Sequence, residues 1–251
     1  MSKCRLLLSA GIVVAMLISV NARADYVLST DQIISVVVDG NDVEIAGIVP
    51  IINRDFSEPN DGKHTAFDIE QSRKQDAPFF GDMTTDVPGW SSDISAKDSG
   101  IEDVGGDYGY TAFLLGGYSE WDDPDDWVEP SIWQILSYKI KEGDQFCLAV
   151  DVEHLWTQSP VVPLLSISLF YVDDGGGRTE LANEVLDLSD ISGWNTYILD
   201  VPDVNELAVG RLIGIEFQNI AERSSWIHID NISLVPRPDA IEEEEVEVIQ
   251  E

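Results

Sequence analysis

Apolar and polar residues alternate along much of the chain, and a period of two is typical of half-buried β-strands rather than of helices. The clearest run is Pro163–Asp173, in which every second residue is apolar: Leu165, Ile167, Leu169 and Tyr171. Similar alternation continues through 144–154, 197–201 and 211–220. Each run is short and ends in a cluster of Gly, Asp, Asn or Pro, as strands joined by turns do. The pattern predicts an all-β fold, a single-domain antiparallel β-sandwich of the jelly-roll type.

Two short segments bracket this run of strands. The first is Ile51–Pro59, completed downstream by Pro88–Trp90, and the second is Trp226–Leu234. Such a pair predicts that the first and last strands of the sandwich lie side by side, with acidic residues from both ends close together.

The second bracket also changes phase in its middle. Ile227 and Ile229 share one face, whereas Ile232 and Leu234 share the other. A β-bulge at Asp230-Asn231 accounts for this change, and irregular backbone of that kind is a favourable place for a metal ligand.

The chain start has the pattern of a secretory signal peptide. Lys3 and Arg5 precede an apolar run, Leu6–Val20, and Ala22-Arg23-Ala24 is a small-x-small cleavage site. The apolar run is shorter than the roughly 20 residues that span a bilayer, so cleavage is favoured over a membrane anchor. The sequence therefore predicts a secreted, periplasmic or extracellular protein with no transmembrane segment in its mature chain.

The sequence divides into four predicted parts. The predicted parts are a signal peptide at 1–24, an N-terminal extension or first strand at 25–44, the jelly roll at 45–236 and an acidic tail at 237–251. Only Cys147 remains after cleavage, which leaves no intrachain disulfide to stabilise the sandwich.

Acidic residues dominate the charge. Cleavage after residue 24 removes three basic residues and no acid from a formal charge of −33, leaving −36. A charge of this size opposes binding to nucleic acid or anionic lipid, since both are polyanions, and favours solubility and cation binding. The predicted partners are a glycan or small-molecule ligand, and the oligomeric state stays open.

One loop combines aromatic and acidic residues in a way that suits ligand binding. Three aromatics and five acids surround Pro124 in the segment 118–127. Aromatic faces pack on sugar rings and carboxylates accept hydrogen bonds from hydroxyls. The candidate ligand-binding residues are Tyr118, Glu120, Trp121 and Trp127. Two other interpretations stay open: the tryptophans cover a sheet edge above solvated acids, or the aspartates of the loop bind a metal.

Motifs of common hydrolases are absent from the sequence. It has no Gly-x-Ser-x-Gly and no His-Glu-x-x-His, and Pro124 interrupts the strand that a Glu-x-Asp-x-x-Glu glucanase site would need. His154 and His228 lie in strand patterns and are interpreted as structural. Glu216, between Ile215 and Phe217, is a candidate proton donor if its face lines an apolar pocket. No catalytic residue is assigned.

Taken in order, four motifs resemble those of galactose-binding-like jelly rolls, a group that includes many carbohydrate-binding modules. They are Asn53–Pro59, Pro88–Trp90, Ile132–Leu136 and Trp226–Leu234. The resemblance covers about residues 45–236.

In such modules a structural calcium ion joins the first strand to the last. The resemblance implies that Asp230 supplies one ligand. It also implies an acidic ligand directly after the first-strand Phe, but Ser57 occupies that position here, so Glu58 or Asp55 takes the role.

These observations predict a secreted, non-catalytic, calcium-stabilised jelly roll that binds carbohydrate or another cell-envelope ligand. The main alternative is a calcium-dependent cyclase or lyase acting on a small molecule, because the calcium-dependent Stig cyclases are similar in broad plan. A structural or adhesive envelope protein is the third alternative.

Overall fold

The computed structural model describes residues 34–38, 41–45, 49–58, 65–67, 87–92, 99–116, 129–157, 160–221 and 225–237. The described elements are thirteen strands and one short 3-10 helix, Glu206–Ala208. The strands are β1 (Ile34–Val38), β2 (Asn41–Ile45), β3 (Thr65–Ala66), β4 (Ser91–Ser92), β5 (Gly100–Gly105), β6 (Gly109–Gly116), β7 (Ser131–Lys139), β8 (Gln145–Thr157), β9 (Leu164–Val172), β10 (Arg178–Asp187), β11 (Asn195–Val201), β12 (Leu212–Asn219) and β13 (Ser225–Arg237).

The strands form two main antiparallel sheets. The five-stranded sheet has the order β10-β9-β12-β7-β4, and the six-stranded sheet has the order β11-β8-β13-β6-β5-β3. Strands β1 and β2 pair only with each other in a separate two-stranded sheet. Neighbours in both main sheets are mostly distant in sequence, as in Greek-key sandwiches. The prediction of an all-β antiparallel jelly roll is confirmed.

Alternation along the strands separates a buried face from an outer face. In β8 the inward residues are almost fully buried: Phe146, Leu148, Val150 and Val152. The inward residues of β12 and β13 complete the same core: Ile213, Ile215, Phe217, Ile227, Ile229, Ile232 and Leu234. Each fully buried side chain of this size contributes roughly 1.5–3 kcal/mol. The residues between them therefore face away from the other sheet.

Strand β13 changes its neighbour halfway along. It pairs with β8 over its length, but with β6 only from Ser225 to Ile229. Beyond Ile229 the N-terminal segment lies along the side of β13 where β6 no longer pairs. Val49 bridges to Leu234 there, and the Ile232 amide donates to the Arg54 carbonyl over 3.1 Å. The predicted meeting of the two bracket segments is confirmed.

The first bracket is not a regular strand, however. After the bridge at Val49 it forms a turn over residues 52–55, with positive φ angles at Asn53 and Phe56. Phe56 is fully buried and its ring lies 5.1 Å from that of Trp90, whose indole donates to the Asn53 carbonyl. The turn is thus fixed by an aromatic side chain in the core rather than by strand pairing.

The predicted bulge is present. The register of β13 against β8 shifts between Asp230 and Ser233, and Asn231 has a φ of 50°. The extra residue explains why the inward positions change phase from Ile229 to Ile232.

Several predicted features lie outside the described residues: the signal peptide, the acidic tail and the loop Tyr118–Trp127. Among the residues that the structure describes, no helix is long and apolar enough to cross a bilayer.

Candidate functional site

The outer face of the six-stranded sheet carries an unusual row of polar and aromatic side chains. Along β13 the outward positions are Trp226, His228 and Asp230, which alternate with the buried Ile227 and Ile229. Because β13 is an inner strand here, outward residues of β5, β6, β8 and β11 lie on either side of this row. We call this surface the outer-face site.

His228 lies at the centre of the outer-face site between two glutamates. Its Nε2 is 2.8 Å from Oε1 of Glu102 on β5, and its Nδ1 is 3.2 Å from Oε2 of Glu153 on β8. The imidazole side chain is only 3% exposed. Each ring nitrogen thus faces one carboxylate oxygen, and a nitrogen that carries a proton donates to the glutamate it faces. The three side chains form one hydrogen-bonded triad.

Indole side chains lie at one end of the site. The Trp226 indole donates to the same Glu102 Oε1 over 3.0 Å, and its ring packs against Phe113 of β6 at 5.5 Å. The register of β13 against β8 places Trp156 beside Trp226, on the same outward face. Trp156 is 49% exposed. This end of the site therefore presents the open indole of Trp156 beside a second indole that is bonded to a carboxylate.

A stack of three rings crosses the site. The Trp194 indole lies 4.0 Å from the Tyr108 ring and 6.0 Å from His228, and the rings are nearly parallel. Tyr108 belongs to the turn between β5 and β6, and Trp194 precedes β11, so the stack joins two strands that are not neighbours. Burial, then the charges of Asp151, Asp230 and Glu153, raise the pKa of the Tyr108 hydroxyl. The phenol therefore remains a proton donor facing carboxylates.

Asp230 lies at the other end of the row and is 1% exposed. Burial is the main cause that raises the pKa of its carboxyl to about 8, and the charges of Asp55 and Asp151 add to it. Its Oδ1 has no hydrogen-bond partner among the described residues. The Asn231 backbone N–H donates to the Asp230 carboxyl, which opposes the rise in its pKa, and the Asn231 side-chain amide donates to Oδ2 of Asp151 over 3.0 Å.

Thr111 on β6 repeats this feature. Thr111 is fully buried and pairs with Glu102 on the adjacent strand β5. Its Oγ1 also lacks a hydrogen-bond partner within the described part of the chain. The register that joins Ala112 to Ile229 places Thr111 beside Asp230. Two buried polar atoms on one outward surface thus lack the hydrogen bonds that buried groups normally make.

The sequence prediction assigns calcium to Asp230, with Glu58 or Asp55. An unpartnered buried carboxylate oxygen, repelled by Asp55 and Asp151, is a favourable ligand for a divalent cation. Asp55 is exposed, and its Oδ1 accepts from the amide and hydroxyl of Ser57. Glu58 is exposed, and its backbone is held by the Asn53 side chain.

No three acidic, histidine or cysteine side chains of the described ranges stand at metal-binding distances. Calcium at Asp230, with Glu58 or Asp55, therefore stays a prediction.

The other sequence candidates are separated from this site. Tyr118, Glu120, Trp121 and Trp127 lie outside the described residues, although β6 ends at Gly116, which pairs with Ser225 at the Trp226 end. Glu216 faces outward from the five-stranded sheet. It accepts from Ser131 and Arg178, so it is a paired carboxylate and not a proton donor in an apolar pocket.

Sequence reasoning missed Glu102, Tyr108, Glu153 and Trp194, and it interpreted His228 as structural. The alternation of residues along the strands contained part of the information needed to find this site. Asp151 and Glu153 occupy outward positions of a strand whose other face is apolar from Phe146 to Val152, and His228 separates two buried isoleucines.

Comparison with solved structures supports the fold. A cyclase from Fischerella sp. in its apo form matches with a TM-score of 0.54 and 17% identity, over 78% of this chain and 98% of that chain. A Fischerella sp. TAU cyclase in complex with 4-(1H-indol-3-yl)butan-2-one matches with a TM-score of 0.53 and 18% identity, over 78% and 100% of the two chains. A carbohydrate-binding module, CBM4, matches less closely, with a TM-score of 0.42, 12% identity and 75% and 100% coverage.

No family model matches the sequence, and no curated protein matches it significantly. At these identities the likeness to the cyclases shows a shared fold, and function must be argued from the residues.

Proposed function

We propose that the protein is a non-catalytic jelly roll that binds carbohydrate on the outer-face site. The observation that carries this proposal is the half-exposed Trp156, which lies next to Trp226, whose indole donates to the Glu102 carboxylate. An indole that is left open on a sheet face, while apolar side chains elsewhere fill the core, is a surface available to a ligand.

The chemistry of the site suits a sugar. The apolar face of a pyranose ring packs on an indole, and carboxylate oxygens accept hydrogen bonds from its hydroxyls. Glu102 and Glu153 have side-chain exposures of 18% and 22%, so both remain accessible to a ligand while His228 holds one oxygen of each. The sheet provides a rigid support, which limits the ordering cost on binding.

Replacing Trp156 with alanine tests the platform. We expect the affinity for a bound polysaccharide to fall at least tenfold, about 1.4 kcal/mol, because the stacking surface is lost. Affinity electrophoresis against a panel of soluble polysaccharides, followed by calorimetry, measures this change. Trp133→Ala is the matched control, since Trp133 lies on the outer side of the other sheet beneath Arg178. Equal binding by wild type and Trp156→Ala would contradict the proposal.

We also propose that calcium stabilises the fold through Asp230. A cation there would be held by Asp230, with Asp55 or Glu58 and backbone carbonyls of the 53–58 turn as further ligands. It would neutralise the repulsion among Asp55, Asp151 and Asp230 and fix the N-terminal segment against β13. We propose in addition that the protein is exported through the predicted signal peptide.

A small-molecule cyclase or lyase is the second candidate function. It is favoured by the His228 imidazole, which lies between Glu102 and Glu153 and stacks with the Trp194 ring. An acid–base group close to an aromatic surface suits chemistry through a cationic intermediate, which such a surface stabilises.

Hydrogen exchange into a ketone separates the two candidates. 4-(1H-Indol-3-yl)butan-2-one in deuterated buffer gains deuterium beside its carbonyl if the site protonates the oxygen and removes a carbon-bound proton. Exchange above the buffer rate that is lost in His228→Gln favours the enzyme. Binding of a polysaccharide without any such exchange favours the glycan-binding function.

A further inference from the structure

We propose that the glycan bound at the outer-face site carries a positive charge, as an amino sugar with a free ammonium group does. This inference rests on the proposed carbohydrate binding and specifies its ligand class. It follows from the distribution of charge and of unused acceptor atoms on the surface.

Carboxylates outnumber cations in the site. Glu102 of β5 and Asp151 and Glu153 of β8 face outward from this sheet. Arg54 lies near enough to Asp230 to oppose the rise in its pKa, and His228 is the partner of both glutamates. The described salt bridges of Arg178 and Arg211 are made with Glu216 and Asp174, away from this sheet. The central glutamates thus share a single imidazole.

Acceptor atoms remain unused beside that imidazole. Oε1 of Glu102 receives both the His228 and the Trp226 donors, and Oε2 of Glu153 receives the other imidazole nitrogen. The second oxygen of each carboxylate accepts no hydrogen bond from any described residue. An ammonium group has three donors and no acceptor, which matches a surface of free carboxylate oxygens.

Buried atoms without partners support a ligand at the same place. Thr111 Oγ1 is fully buried and unpartnered, and it lies on the outward face across from Glu102. A hydroxyl in that position can accept from an ammonium group or from a sugar hydroxyl. The open face of Trp156 adds a stacking surface for the ring that bears the charge, and aromatic faces also attract cations.

Three tetrasaccharides that differ in one substituent test the inference by calorimetry. Glucosamine tetramer has ammonium groups, N-acetylglucosamine tetramer carries neutral amides in their place, and cellotetraose carries hydroxyls. We expect the glucosamine tetramer to bind at least tenfold more tightly than either neutral ligand, since charge-assisted hydrogen bonds are stronger than neutral ones. Equal affinity for all three would overturn the charged-ligand inference and leave carbohydrate binding intact. Binding of none would overturn the proposed function itself.

Charge-neutral variants locate the effect. Glu153→Gln keeps the shape and a hydrogen bond to His228, and it should weaken glucosamine-tetramer binding about tenfold while changing N-acetylglucosamine-tetramer binding little. Glu184→Gln, on the exposed side of β10 in the other sheet, is the matched control for the net charge of the protein. An equal loss in both variants would show attraction to the overall negative charge and overturn the inference. Thermal melting of both variants verifies that they are folded.

Discussion

Asp230→Asn is expected to make the metal-free protein more stable at mildly alkaline pH and to remove its response to calcium. Burial raises the pKa of Asp230 from its usual 3.8 to about 8. Between these values the folded protein holds a proton that the unfolded chain has released. Stability therefore falls as pH rises through this window, by up to about 1.4 kcal/mol per pH unit. Asparagine carries no charge, so the stability of the variant should not fall with pH in this way.

Calcium should reverse the behaviour of the wild type. The cation takes the place of the proton, so the ionised carboxylate becomes favourable and stability at about pH 8 rises with calcium concentration. Urea denaturation measures the free energy of unfolding at about pH 5 and about pH 8, each in chelator and in excess calcium. Identical curves with chelator and calcium would contradict the calcium proposal. A flat pH profile in chelator would instead contradict the burial of an ionisable Asp230.

Asp203→Asn provides the matched control for this experiment. Asp203 is exposed in the turn after β11, and it lies outside the outer-face site. Its replacement makes the same change in net charge as Asp230→Asn. We expect it to leave both the pH profile and the calcium response unchanged, which would assign the effect to the buried carboxylate.

The sequence predicted those features that depend on local alternation. The inward residues of β8 and the phase change between Ile229 and Ile232 could be recognised because each depends on side chains only a few positions apart. The meeting of the brackets was also predicted, from the pair of segments at the two ends of the run of strands. The turn at 52–55 was not, because its shape depends on the left-handed residues Asn53 and Phe56 and on the distant Trp90.

The outer-face site could not be assembled from the sequence in the same way. His228 is 126 residues from Glu102 and 75 from Glu153, and only the strand order brings these side chains together. Alternation shows that a residue faces outward, but it does not show which strands are neighbours or in which register. Tyr108 and Trp194 come from turns, where no periodicity exists. A search for acids and aromatics at outward strand positions would have selected Glu153, Trp226 and His228.

His228→Ala is expected to be the most disruptive single change in the outer-face site. It removes the hydrogen-bond partner that Glu102 and Glu153 share, and it leaves two partly buried carboxyl groups facing a cavity. Removing one partner of a buried charged network costs roughly 3–5 kcal/mol. We expect a loss in the lower part of this range, because both glutamates retain some contact with solvent. Urea denaturation measures the loss, and sugar binding should disappear with it.

A triple variant distinguishes lost charge pairing from lost packing. The triple variant combines Glu102→Gln, Glu153→Gln and His228→Ala, so it has no ionised carboxylate left without a partner in the triad. Much of the lost stability should therefore return, even though the cavity remains. If the triple variant is as unstable as His228→Ala alone, packing of the imidazole against Trp194 is the main contribution and the charge argument is wrong. If stability returns but sugar binding does not, the triad serves the ligand rather than the fold. That outcome would explain why the protein keeps an acidic, partly buried cluster on a sheet face that apolar residues could stabilise more simply.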